Sequence, residues 1–292
     1  MSTSPHDPVS AQFGAEGLRR FRPGAAFGVR LPEAARAGLE ETGVPVLVAP
    51  YFTAAGESDA LALGVFAAQS GLPRPAPEVE GWLRIGADGL AQLCVRPDGA
   101  VQAVMLEGGE DDLYVSSDPQ AFSASLAVLD RVLPVIATSS GLTEAAAAFR
   151  ELNETLRAID PDAFGEREAW WPRVLDDVRH TLNFPFSAAF EYVDAGGEKR
   201  IVTGATGPGR AHPEELVWRE LSGQGVAPEQ VRRVFCELQA CMMPGHYCAV
   251  WMQKLFPQAE FTHAFDYGSD AESREAGLKQ LITYTAEQAG RG

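Results

Sequence analysis

A chain of 292 residues with 46% hydrophobic side chains can bury more than one core, so two domains are expected and disorder by composition is excluded. Its 40 acidic and 24 basic residues give a formal net charge of −16, which repels polyanions at long range and argues against a basic nucleic-acid groove. Residues 1–13 lack the apolar stretch of a signal peptide, and no run of about 18 apolar residues stands out, so a cytoplasmic location without a membrane partner is expected.

Residues 1–12 are polar and read as a flexible tail. Short apolar runs then alternate with Gly/Pro punctuation, and strands are expected at 46–48, 82–86, 92–95, 101–105 and 113–115. Ala87-Asp88-Gly89 and Pro97-Asp98-Gly99 carry the turn chemistry between them. Phe122, Leu126, Leu129 and Val132 recur at helical spacing and predict a helix over 119–138. Phe13-Gly14, Leu18-Arg19-Arg20-Phe21, Ile85-Gly86-Ala87-Asp88-Gly89, Asp98-Gly99-Ala100-Val101 and Tyr114-Val115-Ser116-Ser117 stand in an order that resembles the SUKH superfamily of immunity proteins. That resemblance covers about the first 140 residues and implies an α+β domain of a bacterial polymorphic toxin system.

Ser139-Ser140-Gly141 interrupts the pattern, and an alanine-rich helix is expected over 143–159, ended by Asp160-Pro161. A second helix over 166–182 carries Trp170, Trp171, Val174, Leu175 and Val178. The expected division is a SUKH-like domain with helical linker at 13–165 and a second domain at 166–292. The acidic excess is uneven: residues 1–165 hold 22 acids and 11 bases, residues 166–292 hold 18 and 13. The second half is therefore the less hostile surface for a polyanion.

From residue 166 onward the expected order is α-β-β-α-β-α-β-α, with strands at 187–193, 200–204, 230–238 and 260–265. Within it, His212-Pro213-Glu214-Glu215 opens a helix. Proline suits the first helical position and acids suit the first turn, so these four residues are also an ordinary helix start. Cys241 and Cys248 follow after one strand, flanking Pro244-Gly245-His246-Tyr247. Buried free cysteine is common, but Cys236, Cys241 and Cys248 within thirteen residues are the clustering of a metal or redox site in a reducing compartment. An imidazole and two thiolates leave one coordination position of zinc open, and a nearby carboxylate that is not a ligand can then move protons.

His212-x-Glu214 with Cys241 and Cys248, and the text around Glu237-Leu238-Gln239-Ala240-Cys241, Phe256-Pro257 and Thr262-His263-Ala264-Phe265-Asp266-Tyr267-Gly268, is similar to the nucleic acid/nucleotide deaminases of bacterial toxin systems. Two departures stand out: Ala240 replaces the usual proline, and six residues separate the cysteines. The resemblance implies an α/β three-layer, cytidine-deaminase-like domain, a mixed sheet flanked by helices. It implies zinc on His212, Cys241 and Cys248, with Glu214 as the proton shuttle. The implied reaction is cytosine to uracil, with adenine to hypoxanthine as the second choice of base, in nucleic acid, single-stranded DNA first, with a toxin or immunity partner for the N-terminal domain.

Two alternatives stay open: a free nucleoside or nucleotide deaminase, and a toxin-binding immunity protein whose deaminase-like half is inactive. Thr203, Thr206, Phe190, Tyr192, His246 and Tyr267 are the candidate substrate contacts. Cys94, Cys236, His180 and His263 read as packing or surface residues outside the site.

Overall fold

The computed structural model describes residues 8–22, 31–107, 111–183 and 185–290. The chain divides into two compact units, one of residues 1–135 and 147–174, the other of residues 136–146 and 175–292.

The N-terminal unit opens with α1 (Pro8–Phe13), β1 (Leu18–Arg19), α2 (Glu33–Ala37) and β2 (Val44–Pro45). Residues 8–12, expected in a flexible tail, form most of α1 because Val9 is buried beside Leu18 and Ala127; the rest of that tail, residues 1–7, lies outside the described residues. β3 (Leu47–Val48), β4 (Phe52–Ala54), β5 (Leu83–Ala87), β6 (Gln92–Val95), β7 (Val101–Val104) and β8 (Leu113–Ser116) form one antiparallel sheet in sequence order, with α3 (Leu63–Ser70) between β4 and β5. α4 (Pro119–Thr138) and α5 (Leu142–Ile159) follow.

The Ile85-Gly86-Ala87-Asp88-Gly89 motif is more than a turn. A Cβ on Gly86 would stand 2.4 Å from the Thr53 carbonyl oxygen, so the strands close up only over glycine. Asp88 is fully buried; its carboxylate accepts hydrogen bonds from the Ala91 N–H at 2.9 Å and the Trp170 Nε1–H at 2.7 Å. Phe122 stacks edge-on against Phe52 and Trp170, tying α4 and the later helix to the sheet. α4 is long and apolar enough to cross a membrane by length and composition, but Phe122, Leu126 and Leu129 are fully buried, as in a core helix.

α6 (Trp170–Asn183) starts at Trp170, since residues 166–169 bend and turn before it. The two units divide inside this helix, between Val174 and Leu175, beyond the expected boundary at 165/166. The C-terminal unit continues with β9 (Ser187–Val193), β10 (Lys199–Ala205), α7 (Pro213–Gly223), β11 (Val231–Leu238), α8 (Cys248–Leu255), β12 (Glu260–Phe265) and α9 (Ala271–Ala289), in the expected order.

Its four-stranded sheet runs β10-β9-β11-β12 and is mixed: β9 is antiparallel to β10 and β11, whereas β12 is parallel to β11 through the α8 crossover. Alternating residues Ala188 and Phe190 of β9 and Val234, Cys236 and Leu238 of β11 share one buried core with Val217 and Leu221 of α7, Met252 of α8, and Leu278 and Leu281 of α9. That core anchors the start of α7 and the end of β11, where the candidate ligands lie.

Candidate metal centre

His212 caps α7 in an extended conformation, φ −65° and ψ 153°, with Pro213 in the first helical position. The two glutamates that follow divide the work. Glu215 turns back, and its Oε2 accepts the His212 backbone N–H at 2.9 Å, which makes the helix start. Glu214 points the other way, into the interior, where it is 3% exposed and its Oε2 has no hydrogen-bond partner among the described residues. Burial pushes its carboxyl above the usual carboxylate range, and the Cys236 thiol hydrogen-bonds to it.

The altered cysteine spacing is accommodated by a folded loop. The backbone N–H groups of His246 and Tyr247 donate to the Met243 carbonyl, Gly245 sits at φ 81°, and Tyr247 takes the left-handed conformation at φ 44° before α8 begins. The Ala249 N–H then donates to the Cys241 carbonyl at 3.1 Å, so the loop closes and the two cysteines meet. The Cys241 and Cys248 sulfurs lie 3.3 and 3.5 Å from His212 Nδ1, with all three donor atoms buried and within 4.8 Å of one another. Ligands on a tetrahedral zinc with ordinary bond lengths stand about 3.6 Å apart (nitrogen to sulfur). The donor set and its spacing therefore fit a metal of that size.

Electrostatics prepare the same three groups. Burial alone would raise the Cys241 thiol, but the hydrogen bond from Cys248 and the adjacent His212 hold it well below the usual thiol range. Burial and the Cys241 thiolate push Cys248 well above that range. Burial disfavours a charged His212, yet Cys241 and Asp177 outweigh it and hold the imidazole well above its ordinary value. A cation held between a thiolate and a carboxylate marks where a metal's positive charge is electrostatically welcome.

Asp177 of α6 is buried, and its Oδ1 takes a hydrogen bond from His212 Nε2–H at 2.8 Å. His246 stacks flat on His212, ring centroids 3.8 Å apart, and points its two nitrogens at Asp177 Oδ2 (3.2 Å) and Glu215 Oε2 (2.8 Å). Burial and His212 lower the His246 pKa, but Asp177 and Glu215 prevail and hold it at about 9. These hydrogen bonds account for the proximity of Asp177, His212 and His246.

A cleft bordered by His212, Glu214 and Cys241 has a free volume of about 10 Å3, room for a single water and not for a nucleobase. Asp177, His180, Phe186, Gln239 and Tyr267 complete its lining. His180, expected outside the site, therefore borders it and hydrogen-bonds through Nδ1 to the Tyr267 hydroxyl. The signal was present: Asp177 and His180 alternate with Val174 and Val178 on the buried face of an amphipathic helix, where a carboxylate needs a buried reason.

Of the expected substrate contacts only Tyr267 borders the cleft. Phe190 is fully buried and packs edge-on against Phe256, Tyr192 is half-buried against the same core, and Thr203 is exposed on β10. Thr206 is buried and donates its hydroxyl to the Ala211 carbonyl, closing the loop before α7. His246 stands behind His212, not in front of it. Alternation along a strand distinguishes the two faces of a sheet but not a core from a cleft. Cys94 is buried and His263 sits exposed on β12, whereas Cys236, expected outside the site, is buried with its thiol against the Glu214 carboxyl.

Residues 185–284 match the Xanthomonas-like deaminase family, a span that holds His212, Glu214, Cys241 and Cys248 but neither Asp177 nor His180. Residues 4–177, more than half of the chain, match the SUKH-4 immunity protein family. No curated protein and no solved structure gives a significant match. The chain belongs to the SUKH-4 immunity protein family and joins that immunity-type domain to a deaminase-family domain.

Proposed function

We propose that the C-terminal unit is a zinc-dependent hydrolytic deaminase that converts cytosine to uracil in single-stranded DNA, and that the N-terminal unit binds a toxin-system partner. The observation that carries the reading is Glu214 Oε2: a buried carboxylate oxygen without a hydrogen-bond partner among the described residues, on a side chain that borders a water-sized cleft with His212 and Cys241. A structural helix start has no use for such an atom, which costs about 1–3 kcal/mol to leave unsatisfied.

In this reading His212 Nδ1 and the sulfurs of Cys241 and Cys248 hold the zinc. The metal, when bound, supplies Lewis-acid activation of a water near neutral pH. Glu214 Oε2 accepts a proton from that water, delivers it to the ring nitrogen, and assists the departing amine; cytosine and water yield uracil and ammonia. Its raised pKa suits a group that must both take and give a proton. Phe186 and Tyr267 line the cleft wall, and a base enters only when that wall moves, because the free volume is one water. Four free, buried cysteines suit the reducing cytoplasm.

Single-stranded DNA is favoured over a free nucleotide because the chain carries a second domain that a small-molecule deaminase does not need, and because the acidic excess lies mainly in residues 1–165. That same excess suits a basic toxin partner for the immunity-type domain. Zinc content and uracil formation on single-stranded DNA, duplex DNA, RNA and free cytidine, with Glu214→Gln as control, test the reading. One zinc per chain and uracil lost in the variant support it. Absence of both metal and product on every substrate leaves the immunity function alone.

A further inference from the structure

We infer that Asp177, together with His246 and Glu215, is the positioning apparatus for the metal ligand His212. This rests on the metal reading above but adds residues outside it, since Asp177 precedes the deaminase-matched segment. The four side chains close a ring that begins and ends on one residue. The His212 backbone N–H donates to Glu215 Oε2, and His246 Nδ1 bonds to that same oxygen. His246 Nε2 reaches Asp177 Oδ2, and Asp177 Oδ1 receives the His212 Nε2–H.

Each link has a consequence for His212. The Asp177 contact keeps a proton on Nε2, so Nδ1 is the nitrogen that faces Cys241 and Cys248 and is the one left to give up its proton to a metal. The Glu215 contact holds the main chain, and the flat stacking of His246 fixes the ring plane. Orienting a ligand before the metal arrives removes rotamer freedom that binding would otherwise have to overcome, and loss of such a carboxylate behind a histidine ligand weakens metal affinity about 10–100-fold. Asp177 would be an expensive burial without this arrangement, because a buried carboxylate persists only where it is hydrogen-bonded and paired.

The test is zinc affinity of the full-length chain, measured by competition with a chromogenic chelator, alongside the visible spectrum of the cobalt(II)-substituted protein. Asp177→Asn keeps the size of the side chain and is expected to weaken zinc binding about 10–100-fold while leaving the cobalt spectrum of a His/Cys/Cys set in place. Wild-type affinity in Asp177→Asn overturns the inference and leaves the metal reading intact. Failure of the wild-type chain to bind zinc overturns the metal reading itself. If Asp177→Asn shows no cooperative thermal unfolding, His246→Gln decides: weaker zinc binding supports the ring, and unchanged binding overturns it.

Discussion

Each unit buries a carboxylate near the end of an element, Asp88 in the turn between β5 and β6 and Glu214 in the first turn of α7, and the two are treated differently. Asp88 in the N-terminal unit is fully buried with both oxygens hydrogen-bonded, one to a backbone N–H and one to an indole. Glu214 in the C-terminal unit is equally inaccessible, yet one oxygen has no partner among the described residues and its pKa is pushed up by burial. A satisfied buried acid holds a fold together; an unsatisfied one is retained at a cost to stability and marks chemistry.

Neutralising each acid in turn should separate the two units most strongly. Glu214→Gln is expected to lower uracil formation by about 10²–10⁴-fold with zinc retained and thermal stability not reduced, because the lost group carries protons and not structure. Activity within a few-fold of wild type in a kinetic assay would remove Glu214 from the mechanism. Asp88→Ala should do the converse, costing about 2–4 kcal/mol in denaturant unfolding as it strands the Trp170 Nε1–H and the Ala91 N–H, with zinc content unchanged.

A third effect separates the units by pH. Burial, then the Arg179 charge, depress the His180 pKa from 6.5 to about 4. The unfolded chain therefore binds the proton first as pH falls, so His180 leaves stability intact above pH 6.5 and erodes it down to pH 4, by up to ~3 kcal/mol. His180→Gln should flatten that part of the stability curve, measured by urea unfolding at a series of pH values; an unchanged slope would show that His180 does not carry the acid sensitivity. The smallest effect belongs to Thr203, exposed on β10 and away from the cleft lining: Thr203→Ala should stay within about 0.5 kcal/mol of wild type and leave turnover unaltered. A loss of turnover there would mean that substrate lies across β10.

Element order was legible because periodicity is local. The alternation of Ser187–Val193 and the spacing of Phe122, Leu126 and Leu129 declare a strand and a helix whatever they pack against. The same locality explains what was missed. α1 is short, and packing of Val9 and Phe13 against Leu18 and Ala127 orders it, so residues 8–13 by themselves do not report it. Thr206 and Phe190 had suitable side chains, but a carbonyl acceptor in one case and an aromatic neighbour in the other claim them for structure.

Residue identity and short-range spacing were enough for the candidate ligand types, the order of elements and the acid placed two residues after the histidine, because none of these depends on distant contacts. Tertiary structure alone decided which acid is which: Glu214 and Glu215 are adjacent and chemically identical, and only the direction each faces on the first turn of α7 makes Glu215 a helix cap and Glu214 a buried carboxylate with one oxygen lacking a partner among the described residues. It also decided that Asp177, 35 residues before His212, stands behind the imidazole, since long-range contact depends on how α6 packs and no local pattern records it.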